Sequence, residues 1–152
     1  MQTLANSADR QSMLARLARL RPDSPRQWGR MSPHQAVCHL SDSFHGVMGL
    51  RPISPAESLL ARTLLRFVAL HTPVRWPPGV PTRPEVDQEI GGTAPGEFAD
   101  DVRALAATVD RFAAQPRDFT LHPHPAFGAL TEREWMIWGC RHLDHHLRQF
   151  GA

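Results

Sequence analysis

An all-α fold, organised as a four-helix bundle, is what this sequence predicts, and three observations carry the expectation. The chain contains no tyrosine and no alternating run of β-branched residues, so strand signals are scarce. Helix-start signatures recur at "SPHQ" (32–35), "SPAE" (54–57) and "TERE" (131–134). Between the helical stretches lie long segments rich in proline and glycine, as in bundles with crossover connections.

Each start has a mechanism. Ser32 can cap with its hydroxyl, Pro33 suits the first helical position, and Gln35 can reach back to the cap amide. Ser54, Pro55 and Glu57 repeat the device, and Thr131 with Glu134 does so again. Reading outward from these signals predicts helices over roughly 7–20, 33–49, 55–70, 96–114 and 131–150. Gly151 follows the last, where a left-handed residue commonly ends a helix. The segment 71–96 is too rich in proline and glycine for helix and reads as a crossover connection or a lid. A second irregular stretch, 115–130, ends where the last helix begins.

A chain of 152 residues suits one domain spanning 1–152, and 41% hydrophobic with 21% charged residues is ordinary for a soluble protein. The net charge is +2 and the pI about 9.0, with the arginines scattered rather than gathered into a basic arm. Nucleic acid is therefore not an expected partner. No apolar run is long enough to span a bilayer and the opening stretch has no signal-type apolar core, so a soluble, cytoplasmic protein is expected. Cys38 and Cys140 lack CxxC spacing and read as buried reduced thiols.

The chemistry gathers in histidine. "RHLDHHLRQF" (141–150) holds His142, His145 and His146. At about 100° per residue, His146 lies about 40° from His142, Trp138 about 40° the other way, and Trp135 and Gln149 within about 20°. Met136, Cys140, Leu143, Leu147 and Phe150 form a neighbouring apolar stripe, while Arg141, Asp144 and Arg148 fall on the opposite, solvent side. An i, i+4 histidine pair can converge on one ion. His145, about 60° from His142 and about 100° from His146, is the weaker ligand candidate. On the 33–49 helix, Val37, Leu40, Phe44 and Val47 make the apolar stripe, and His39 sits at its edge beside Ser43 and Gly46. His34 and His45 point away from that stripe and read as solvated. His39, His142 and His146 thus form a candidate site of three neutral imidazoles with an open position, the pattern of catalytic zinc-type centres. The competing reading makes them hydrogen-bonded core histidines.

"MSPHQAVCHLSDS" (31–43) together with "HPAFGALTEREWMIWGCRHLDHHLRQFG" (124–151) resembles the DinB/YfiT-like superfamily of metal-dependent helical bundles, and most resembles a bacterial branch of unknown function. The resemblance implies an up-up-down-down four-helix bundle holding zinc or nickel through three histidines, which fall on His39, His142 and His146. It also implies a family containing metal-dependent thiol transferases, and some dimers. The expected partner is a small molecule, with a low-molecular-weight thiol preferred and metal-assisted hydrolysis next.

Several residues are candidates for supporting roles. Asp42, about 60° from His39, is placed to orient a ligand imidazole or act as general base, or else is a surface carboxylate. His145 and Gln149 are candidate donors behind the ligands, and Trp135 and Trp138 candidate pocket walls. In the "HPHPAFG" loop, Phe127 offers an apolar plug and His122 and His124 two further imidazoles.

Overall fold

The computed structural model describes residues 1–56 and 60–152, with the side chain of Ala61 also left aside. Among the described residues there are five α-helices and no strand. They are α1 (Ser7–Arg19), α2 (Pro33–Val47), α3 (Arg66–His71), α4 (Phe98–Ala113) and α5 (Glu132–Gln149). A π-helical turn (Ala61–Leu65) leads into α3, and a single 3-10 turn (Pro84–Val86) interrupts the connection to α4. No described helix is long and apolar enough to cross a membrane.

The caps explain where the helices begin. The Asn6 side chain accepts from the amides of Ala8 and Asp9 to open α1. Ser32 and Gln35 close a reciprocal capping box at α2, as do Thr131 and Glu134 at α5. Four of the expected helices appear with ends moved by at most two residues. The expected helix over 55–70 does not form as one piece. Ser54–Ala56 are irregular, helix is present from Leu60 onward, and the Glu57 half of the anticipated box lies outside the described residues. The reason is competition for Ser54. Its amide donates to Glu85 Oε1 at 3.2 Å and its hydroxyl accepts from Arg83 at 2.5 Å, while the Ala56 amide binds the Pro125 carbonyl at 2.8 Å.

α2 packs against α4 and α5, and α1 against the same two helices, so these four enclose one core. At its centre Phe44 meets Phe112 at 5.0 Å and Trp138 at 5.3 Å between ring centroids, and Trp135 stands edge-on to Trp138 at 5.5 Å. Gly139 lets α5 come close. A Cβ there would lie 2.6 Å from Leu4 and 3.2–3.3 Å from Phe44 and Phe112. The stripe Met136, Cys140, Leu143, Leu147 and Phe150 is buried, and so is Cys38. Arg141, Asp144 and Arg148 are half-buried rather than solvent-facing. Arg16 of α1 reaches Asp144 at 2.7 Å, and Arg141 donates to the carbonyls of Thr72 and Val74.

The short α3 is held to α5 by Glu134. Arg66 donates to its two oxygens at 3.0 and 2.7 Å, His71 lies at 3.1 Å, and the Thr131 amide and hydroxyl both donate at 2.8 Å. Away from this clasp Leu60, Leu64, Leu65 and Phe67 are exposed. Burial alone pushes the Glu134 carboxyl up, but the hydrogen bonds from Arg66, Thr131 and His71 outweigh it and bring it down to about 2.

A folded-state value below the ordinary 4.5 means that the stabilisation is fully present above that pH and is lost as pH falls toward about 2. Chemical denaturation across this window should show wild-type stability falling steeply, with a flatter slope for Glu134→Gln. Equal slopes in the two proteins would remove the clasp from the account.

Candidate metal centre

The histidine face of α5 and the edge of α2 meet inside the core. His39 and His146 are buried and His142 is half-buried. One ring nitrogen from each of the three lies within 4.8 Å of the others, and the Nε2 atoms of His39 and His142 are 3.2 Å apart. Ring centroids stand 4.8 to 5.2 Å from one another. Two imidazoles bound to a tetrahedral ion at about 2.0–2.1 Å would place their nitrogens about 3.3 Å apart. The 3.2 Å pair fits that spacing.

Hydrogen bonds on the far side of two rings decide which nitrogen faces inward. His39 Nδ1 lies 2.8 Å from the carbonyl of Val86, at the end of the 3-10 turn. A carbonyl only accepts, so Nδ1 carries the proton and Nε2 keeps its lone pair. His146 Nδ1 lies 2.9 Å from Gln149 Oε1, one turn along α5. The amide orientation is fixed independently, because Gln149 Nε2 donates to the Trp28 carbonyl at 2.9 Å. Gln149 must therefore accept from Nδ1, and the Nε2 lone pair of His146 is left free. This is the arrangement of metal-bound histidines, whose second nitrogen usually donates to an oxygen. His142 differs: its buried Nδ1 has no hydrogen-bond partner among the described residues.

Burial pushes all three imidazoles below their ordinary value, His142 and His146 strongly so. For His142 the neighbouring histidines add to the effect, and for His39 the Val86 hydrogen bond and the charges of Asp42 and Asp87 oppose it. Neutral rings at pH 7 are what ligation requires.

The other candidates fall at different distances. Trp138 packs on His142 at 5.2 Å between centroids, forming a wall of the centre. Trp135 lies deeper, against Trp138, Phe112 and His124. Ser43 is buried one turn after His39. His145 rests between Trp28 and Trp76, and burial holds its imidazole low. Phe127 stacks on His124 at 4.5 Å, and the His124 Nδ1 accepts from the amides of Ala126 and Phe127, so this pair closes its own loop. His124, pushed down to about 3 by burial, touches Trp138 at 5.5 Å but does not join the three-histidine group. Together with His122, Arg51 and Arg62 it lines a cavity of about 320 Å³.

Asp42 is buried and fully engaged. Its oxygens accept from Arg51 at 3.0 Å, Gln88 at 3.0 Å, and the amide and hydroxyl of Thr93 at 2.7 and 2.6 Å. It secures the 84–93 segment, whose Val86 carbonyl holds His39. Arg51 donates as well to the carbonyls of Glu85 and Gly91. The 71–96 connection is thus a fitted crossover, and Trp76 from it covers His142 and His145 at 5.9 and 6.2 Å.

Val86, Trp76, Trp28 and Arg51 were not singled out by sequence reasoning. A backbone carbonyl has no residue signature, and Arg51 is one arginine among many. Trp76 carried a usable signal, being the one tryptophan inside a proline-rich connection.

His34 and His45 also differ from expectation. Both are half-buried, His34 hydrogen-bonded to Asp101 Oδ2 at 2.7 Å and His45 against Thr108 at 3.4 Å.

A family model described as "Protein of unknown function (DUF1569)" matches residues 2–152. The chain belongs to the DUF1569 family. No curated protein and no solved structure matches it. For this family member the three-histidine group is a place that could hold a metal ion.

Removing the acceptor behind His146 tests how the rings are aimed. With zinc as a probe ion, any affinity that the three-histidine group has should fall by about 10- to 100-fold in Gln149→Leu with helix content unchanged, read by competition with a chromophoric chelator. Unchanged affinity would mean that Gln149 does not orient the ligand.

Proposed function

We propose that this protein is a divalent-metal protein of DinB/YfiT-like kind, a four-helix bundle of up-up-down-down type, with zinc or nickel held by His39, His142 and His146. One observation carries the reading: the Val86 and Gln149 oxygens hold the Nδ1 protons of His39 and His146, leaving two Nε2 lone pairs beside His142 in a buried space. His39, His142 and His146 would hold the ion as three neutral ligands, and the ion when bound would supply Lewis acidity, lowering the pKa of a water or thiol so that it could act as a nucleophile at neutral pH. Transfer chemistry on a low-molecular-weight thiol is the preferred activity, with hydrolysis second.

The chain's own residues then have defined tasks. Val86 and Gln149 fix ring orientation, Trp138 and Trp76 pack against His142, and the Arg51–Asp42 pair holds the crossover on which the His39 contact depends. Asp42 is less suited to general-base work than to this positioning, because its oxygens are engaged by donors from Arg51, Gln88 and Thr93.

A second reading is a non-catalytic bundle that acts by dimerising. The exposed side chains of Leu60, Leu64, Leu65 and Phe67 favour it.

Untagged protein, stripped and reloaded with zinc or nickel, should bind the ion at the three histidines. His142→Ala should lose that ion while keeping its circular dichroism and its unfolding transition within about 1 kcal/mol, as for removal of one ligand from an open site. Metal-dependent consumption of a thiol by the loaded wild type, absent in the variant, supports catalysis. A wild type that acquires neither ion ends the proposal.

A further inference from the structure

Away from the three histidines, a second group of ligating side chains joins α2 to α4. His34 and Cys38 stand one turn apart on α2, and Asp101 lies in the first turn of α4. A nitrogen, a sulfur and an oxygen from these residues lie within 4.8 Å of one another. His34 Nε2 is 2.7 Å from Asp101 Oδ2 and the Cys38 thiol points at the same oxygen from 3.6 Å. The Gly96 amide also donates to it at 2.9 Å. Phe98 meets the His34 ring edge-on at 5.2 Å and limits its movement.

We propose that His34, Cys38 and Asp101 form a second cation site, for a thiophilic divalent ion of the zinc, cobalt or cadmium class. In the structure three groups direct hydrogens at one carboxylate oxygen, and a single cation can replace the two that come from side chains, with the Gly96 amide left in place. At about 2.3 Å to sulfur and about 2.0 Å to oxygen, a tetrahedral ion would set Sγ and Oδ2 about 3.5 Å apart. The observed 3.6 Å already meets that requirement. Cys38 is buried, whereas the side chains of His34 and Asp101 are 20% and 30% exposed, so an ion and a fourth, water ligand can enter from their side.

The chemistry differs from that of the three-histidine centre. On binding, bonds would form from the ion to Sγ, Nε2 and Oδ2, the thiol proton would leave to solvent, and the His34 proton that faces Oδ2 would be exchanged for one on Nδ1, so that the ring stays neutral. Thiolate and carboxylate together cancel the charge of a dication. Three imidazoles leave it positive. The second site is therefore suited to holding an ion that clamps α2 to α4, and it does not depend on the reading of the first.

Cobalt distinguishes the two directly, since only a thiolate ligand gives an intense near-ultraviolet sulfur-to-cobalt charge-transfer band. Apo wild-type protein titrated with Co²⁺ should develop that band. Cys38→Ser and Asp101→Asn should lose it while retaining cobalt at the histidines, and Cys140→Ser should keep it. His142→Ala should keep the band and lose the other ion. Circular dichroism identifies any variant that fails to fold, and Asp101→Asn, with the thiol intact, then supplies the comparison. A wild type without the band, or a band that survives Cys38→Ser, overturns the proposal and leaves the cluster as a hydrogen-bonded tie.

Discussion

Burying three imidazoles side by side is costly unless each polar nitrogen has something to bind, and the rest of this structure is arranged around that constraint. Two of the rings satisfy it with oxygens behind them: the Val86 carbonyl for His39 and the Gln149 side chain for His146. The third, His142, relies on the space between the rings, because its Nδ1 is unpartnered among the described residues. Either His142 donates its Nε2 hydrogen to His39 across 3.2 Å, or an ion stands there and accepts from both. An ion held by all three rings would engage His146 as well, which the hydrogen bond between the other two does not.

The constraint reaches far along the chain. Val86 is held in place because Arg51 and Asp42 bind the 85–93 backbone and side chains, so an ion pair near the end of α2 governs how the His39 ring is aimed. Gln149 is held in place by the Trp28 carbonyl, which ties the loop before α2 to the end of α5. The loop before α2 and the connection between α3 and α4 are therefore the ones that orient the site. The well-packed centre of Phe44, Phe112 and Trp138 gives the helices fixed relative positions, and Gly139 permits the close approach that brings α5 to α2.

Much of this was legible in the sequence, for local reasons. Caps are written within four residues, so Ser32 with Gln35 and Thr131 with Glu134 announced α2 and α5. Helical periodicity is also local, which is why His39, His142 and His146 could be assigned inward faces before any coordinates. Ser54 misled because its hydrogen bonds go to Glu85 and Arg83, about thirty residues away, and no nearby sequence reports that choice. Asp42 was placed near His39 by angle, but its partners come from a crossover whose path is a tertiary property. The half-buried state of Arg141, Asp144 and Arg148 has the same origin, since α1 and the 72–74 backbone cover a face that periodicity assigns to solvent. His34 was likewise turned from a solvated residue into a partner of Asp101 by the packing of α4.

The most direct measurement is anomalous diffraction at the zinc or nickel edge from crystals of metal-loaded protein. The account predicts an anomalous peak about 2.0–2.1 Å from the Nε2 atoms of His39, His142 and His146 together. Crystals grown with the same ions that carry no peak among those rings, with the His39–His142 contact intact, would contradict it.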